Sequence, residues 1–211
     1  MAAALGFFLL ALTPASSAQL IPVTADEPAG AQLVERLRGG GLVLFFRHAD
    51  TAGMPCDRSF RVGDRNGQRN ISVAGQQQSR RIGEATVKLA IPIAYSILAG
   101  PVFRARDTAE LAFGRERVEV TDSLLADDHS AGRLKWVLAE HRRLFNEPAV
   151  GKANRVLVGH RTPAIMVLGD SVGGKAFPEG AALVLEPGQE QPRVLGILIL
   201  APIAGGGFHG C

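Results

Sequence analysis

Cysteine, lysine and tryptophan are scarce in this chain of 211 residues, and no apolar run is long. Two cysteines are present, Cys56 in a polar stretch and Cys211 at the last position. Neither has metal-ligand spacing around it, and whether the two pair is left open. Lysine occurs only at 88, 135, 152 and 175, so the basic side chains are nearly all arginine. The net charge of +3 is mild and is not the profile of a nucleic-acid binder. Internal repeats are absent, and the low charged fraction with many glycines argues against a disordered chain. The longest early apolar run, residues 5–12, is shorter than the roughly 20 residues needed to cross a bilayer. No stable membrane anchor is therefore expected.

That run is followed by Thr13-Pro14 and then Ala15-Ser16-Ser17-Ala18. An apolar core ending in small residues reads as a secretory signal cleaved after Ala18, although no Lys or Arg precedes it. The expected organisation is a signal over 1–18, a linker over 19–30, one domain over 31–203 and a disordered tail over 204–211. The expected location is periplasmic or secreted.

Within the domain, apolar runs alternate with helical patterns. Strands are expected at 42–46, 93–98, 118–120, 155–159, 182–186 and 194–200. Ser72 has the position of an N-cap for a helix reaching to about Ala90, with Ile82, Ala85 and Leu89 at helical spacing. Pro101 precedes a further helix, and Leu134, Val137, Leu138 and Phe145 mark another. A helix is also expected after Thr162. This alternation predicts an α/β fold, a three-layer α/β/α sandwich with a mostly parallel central sheet. His129, His141 and His209 read as surface residues.

Sheets of this kind bind ligands beyond the carboxyl ends of their strands. Arg47 and His48 follow the first strand, Pro101 to Arg104 follow the second, and His160 follows the strand at 155–159. Two histidines and two arginines thus gather at one sheet edge, a cationic pocket that suits a phosphoryl group. Arginine offers paired N–H donors to phosphate oxygens. Neighbouring cations lower an imidazole's pKa and keep it a competent nucleophile near neutral pH. A strict strand would send Arg47 and His48 to opposite faces, so the strand must end or bend there. The polar loop that follows carries Arg58, Arg61, Arg65 and Arg69 against Asp57 and Asp64. Its positive surface would attract anionic substrates.

These residues carry a resemblance. Arg47-His48-Ala49-Asp50-Thr51, residues 70–78 from Asn70, residues 101–109 from Pro101, and Val156-Leu157-Val158-Gly159-His160 are similar in order and spacing to the histidine phosphatase superfamily. The likeness is to its branch 1 type, with the phosphoglycerate-mutase-like fold. It implies a phosphomonoester hydrolase in which His48 is phosphorylated and Arg47, Arg104 and His160 form the phosphate pocket. It implies no cofactor and no metal, and the chain places cationic side chains where metal-dependent phosphatases need carboxylate clusters. The family's proton donor falls in the stretch Leu125 to His129. Asp127 is chosen, with Asp128 and His129 as rivals. Thr51, Asn70 and Arg61 are candidate substrate contacts, though Thr51 and Asn70 equally suit turns. Arg161 either adds a phosphate contact or points to solvent. The implied partner is a phosphorylated small molecule or a phosphoprotein. A catalytically weak phosphate-binding protein of the same fold, or a phosphomutase, are the competing readings.

Overall fold

The computed structural model describes residues 18–53, 55–205 and 207–209. The expected signal therefore lies, apart from Ala18, outside the described residues, as does Cys211.

The strands are β1 (Val23–Thr24), β2 (Val43–Arg47), β3 (Ile93–Ala99), β4 (Val118–Val120), β5 (Asn154–Gly159), β6 (Ala182–Glu186) and β7 (Arg193–Ile199). The helices are α1 (Pro28–Arg38), α2 (Val73–Lys88), α3 (Phe103–Phe113), α4 (Leu134–Phe145) and α5 (Arg161–Leu168). All seven strands join one sheet in the order β1-β7-β6-β2-β5-β3-β4. Only β6 runs against the rest, pairing antiparallel with β2 and β7. The remaining pairs are parallel.

Every residue of β2 is buried, because both faces of the sheet are covered, as expected for an uninterrupted apolar strand. Leu44 and Phe46 point into a core shared with α1, α2 and α3, through Leu37, Ile82, Ala105 and Phe113. Val43 and Phe45 point into the opposite core, against Phe145 of α4 and Ala164 of α5. Full burial of a side chain such as Phe45 contributes about 1.5–3 kcal/mol relative to exposure. The result is the three-layer α/β/α sandwich with a mostly parallel sheet.

Helix α2 starts as its sequence predicts, with the Ser72 hydroxyl accepting from the Gly75 amide at 2.9 Å. A Cβ on Gly75 would lie 2.0 Å from the Asp50 carbonyl oxygen. Only glycine lets α2 begin directly against the segment that follows His48.

Several expectations are corrected. Residues 19–30 are more than a linker: Val23 and Thr24 pair with Leu198 and Ile199, and α1 begins at Pro28. The short strand finds an open edge on β7, and Pro28 suits a first helical turn. His141 is fully buried rather than on the surface, packed edge-on against Phe45 and Phe145. It lies four residues from Val137 and from Phe145, on the buried stripe of α4. In the tail, Gly207, Phe208 and His209 are placed against the site described next.

Candidate active site

Strands β2, β5 and β3 are neighbours and run parallel, so their carboxyl ends lie side by side. Arg47 closes β2 opposite Gly159, and the next residues, His48 and His160, stand together with ring centroids 5.5 Å apart. Strand β2 ends at Arg47, which frees His48 from strict alternation. Arg104 comes from the first turn of α3, just beyond β3. Thr108 fastens that turn to the segment that follows His48: its hydroxyl donates to the Arg104 carbonyl at 2.7 Å and accepts from the Ala49 amide at 2.8 Å.

His48 Nδ1 lies 3.0 Å from the Ala49 carbonyl oxygen. A carbonyl can only accept, so Nδ1 carries the proton and the neutral ring keeps its lone pair on Nε2. Burial, then the charges of Arg47 and Arg104, hold His48 well below the usual imidazole range. Burial, then Arg104, does the same for His160. Both rings are therefore neutral near pH 7, and Nε2 of His48 is available to attack an electrophile.

Arg47 is buried and anchored on its outer edge. Its Nη1 donates to the Phe177 and Gly207 carbonyls, and its Nη2 meets Glu179 at 3.1 Å. Burial pulls its pKa down to about 10, with Glu179 opposing, so it remains a cation at neutral pH. Glu179 also accepts from the Thr51 amide at 3.0 Å and hydroxyl at 3.1 Å. Arg104 is held similarly, with Nη1 3.0 Å from Asp57 of the long loop. Burial lowers Arg104 as well, and Asp57 opposes.

One edge of Arg47 and of Arg104 is thus occupied, while several buried donors have no partner among the described residues. Among the described residues, Nε of Arg47, Nε of Arg104 and Nε and Nη1 of Arg69 are buried guanidinium donors without a partner, and the Nε2 atoms of His160 and His129 are buried and unpaired as well. Native structures leave few such groups. The charges of Arg47, Arg104 and Arg69 act on His48, an arrangement that suits an anion.

Asp127 and Asp128 occupy the expected proton-donor stretch. Asp127 is half-buried and hydrogen-bonds Thr162 in the first turn of α5; burial, then the Asp128 charge, raises its pKa. A raised carboxyl pKa is the direction a general acid needs. Burial raises Asp128 too, but its bond to His129 and the nearby charges, Arg104's included, bring it below the usual range. His129 is buried, with Nδ1 2.7 Å from Asp128.

Other expectations are placed differently. Thr51 is buried, but its hydroxyl serves Glu179, so it supports Arg47 from behind. The Asn70 amide donates to the carbonyls of Arg65 and Gln68 and shapes a turn. Arg61 is exposed, and the contacts seen for it run through its backbone. Arg161 donates to the Gly174 carbonyl and lies over Phe208, with 5.5 Å from guanidinium to ring centroid. Three features escaped the sequence reading: the buried Arg69, the brace from Asp57, and the tail. His209 of the tail lies 2.8 Å from Asp50, and Phe208 lies 5.3 Å from the Arg47 guanidinium.

Two groups, Asp50-Glu179-His209 and Asp57-Asp128-His129, have the spacing of a cation site. Their carboxylates already face hydrogen-bond donors: Ser72 on Asp50, Arg47 and Thr51 on Glu179, Arg104 on Asp57. Arginine cations next to two of these carboxylates work against a metal ion.

No family model and no curated protein matches the chain. Solved structures do. The protein histidine phosphatase SixA complexed with tungstate has 18% identity, covering 75% of this chain and 97% of that one, with a TM-score of 0.52. A mycobacterial glucosyl-3-phosphoglycerate phosphatase complexed with VO3 has 20% identity over 72% and 96% of the two chains, with a TM-score of 0.49. The first likeness shows the class of fold, an α/β/α sandwich of the phosphoglycerate-mutase type. More particularly, it is the fold of the histidine phosphatases.

Proposed function

We propose that this protein is a metal-independent phosphate-ester hydrolase that works through a phosphohistidine on His48. The observation that carries the reading is the cluster of unpaired buried donors around a neutral, tautomer-fixed His48. The solved neighbour of this fold whose complex is with tungstate, a phosphate-like oxyanion, supports it. Arg47, Arg104 and His160 hold the three non-bridging oxygens, where charge gathers in phosphoryl transfer. His48 Nε2 attacks phosphorus as the bond to the leaving oxygen breaks, and Asp127 gives that oxygen its proton. Water then attacks the phosphohistidine, returning a proton to Asp127 and releasing inorganic phosphate.

Substrates of this reading are phosphorylated small molecules or phosphoproteins, and the site is assigned to no nucleic acid. Export to the periplasm or medium is part of the proposal. It is supported by the signal-like residues 1–18 and by Cys56, which is disulfide-bonded, a state typical of oxidising compartments. No helix among the described residues is long and apolar enough to cross a membrane.

The test is turnover of a chromogenic aryl phosphate in the presence of a chelator, with trapping of labelled phosphoenzyme by an alkaline detergent quench followed by acid treatment. The wild type should turn over and give an acid-labile phosphoenzyme, and His48→Ala should do neither while keeping its melting temperature. Activity retained in His48→Ala would overturn the assignment.

A further inference from the structure

Arg69 lies at the end of the long loop, and none of the phosphate-pocket roles assigned so far falls on it. It is 5% exposed. Its side chain makes no hydrogen bond or ion pair with any described residue, and its Nε and Nη1 are buried without partners. The other two buried arginines of the site are compensated, Arg47 by Glu179 and Arg104 by Asp57. A buried, uncompensated guanidinium carries a large desolvation cost unless an anion meets it.

The loop holds Arg69 where it is through its main chain. The Arg69 amide donates to Asp57 Oδ1 at 2.5 Å, and the Arg69 carbonyl accepts from Arg104 Nη1 at 3.5 Å. The same Asp57 carboxylate pairs with Arg104 Nη1. Asp57 therefore braces the Arg104 guanidinium and the Arg69 backbone together, and neither guanidinium has its Nε engaged. Arg69 is close enough to act electrostatically on Arg47, His48 and Arg104.

We propose that Arg69 is a third guanidinium ligand of the phosphoryl group, reaching the pocket from the loop side while Arg47 and Arg104 reach it from the sheet edge. The inference rests on the phosphatase reading and adds a binding residue to it. With Arg47 and Arg104 each already facing a carboxylate, Arg69 is the arginine of the pocket whose charge is left to meet the incoming anion.

The test uses Arg69→Met, which keeps the length and removes the charge, and Arg69→Lys, which keeps a charge without the fork. The probe is inorganic phosphate, titrated calorimetrically, alongside melting temperature in phosphate-free buffer. Losing a charged hydrogen-bonding partner should weaken phosphate binding about 10- to 100-fold in Arg69→Met, with Arg69→Lys in between. Because the free protein is relieved of a buried unpaired charge, the melting temperature of Arg69→Met without phosphate should hold or rise. A structural role predicts the reverse: a lower melting temperature with phosphate affinity unchanged within about twofold, which would overturn the proposal. Should Arg69→Met not fold, Arg69→Lys decides by its phosphate affinity, a weakened affinity supporting the proposal and an unchanged one overturning it. Failure of the wild type itself to bind phosphate or to turn over aryl phosphate would instead remove the phosphatase reading beneath it.

Discussion

At the scale of single residues, the pocket depends on the direction in which each donor points. Arg104 uses Nη1 on Asp57 and the Arg69 carbonyl and leaves Nε for a ligand. A planar fork can serve a brace and a phosphoryl oxygen at once, whereas a lysine ammonium is a single point of charge on a flexible stem. Arg104→Lys should therefore lower kcat/KM for an aryl phosphate by about 100- to 1000-fold, the usual cost of losing one preorganised donor. The fold should survive, since α3 packs through Ala105, Ala109 and Phe113. Steady-state kinetics beside a thermal melt would check this, and a near-normal Arg104→Lys enzyme would contradict the role given to the fork. The same logic gives Glu179 and Thr51 a place behind the pocket, since Glu179 bonds Arg47 and is itself held by Thr51.

At the scale of elements, the sheet was legible and the loops were not. The strand at Val43–Arg47 is an apolar run, and its chemistry-bearing residues come at its carboxyl end, so sequence order alone placed His48, Arg104 and His160 on one edge. Arg69 and the tail could not be placed that way. Arg69 is buried because Asp57 reaches Arg104, 47 residues further along, and His209 is positioned by Asp50, 159 residues away. Such pairings leave no local pattern. His141 is different, since its spacing from Val137 and Phe145 was a readable signal. The loop's charges also divide on folding. Arg65 is tied to Asp107 through two contacts of 2.6 and 2.8 Å and stacks 3.9 Å from the Phe103 ring. Arg58 and Arg61 stay exposed. Steering of anionic substrates by this element should then reside in those two. Arg58→Gln with Arg61→Gln should lower kcat/KM severalfold for polyanionic esters at low salt and flatten its salt dependence, with little change at high salt. An unchanged salt profile would leave the loop as a scaffold for Asp57 and Arg69.

At the scale of the whole molecule, the buried neutral histidines tie function to acid stability. His48 and His160 are held far below the ordinary imidazole pKa because the site is dry and cationic, and burial pulls His141 down to about 4. In the unfolded chain each would titrate near 6.5. A histidine whose folded pKa lies below its unfolded value favours the folded state fully at pH above the unfolded pKa. That advantage is lost as pH falls, because the unfolded chain takes up protons the folded one refuses. For His141 the window runs from about 6.5 down to about 4, and the loss across it is about 3 kcal/mol at 1.36 kcal/mol per unit. The two site histidines, lowered in the same direction, add to the loss. Yet on the proposed function an anion in the pocket should oppose it, since a ligand that binds only the folded protein shifts the equilibrium by mass action. Urea melts at pH 7.5, 6 and 5 should show falling midpoints. His141→Phe fills an aromatic surround with an apolar ring and removes one of the three titrations. It should lessen the fall between pH 6.5 and 5 and leave the remainder, and added phosphate should raise the midpoints of both proteins. An acid profile identical in His141→Phe and wild type would show that the loss comes from the pocket alone.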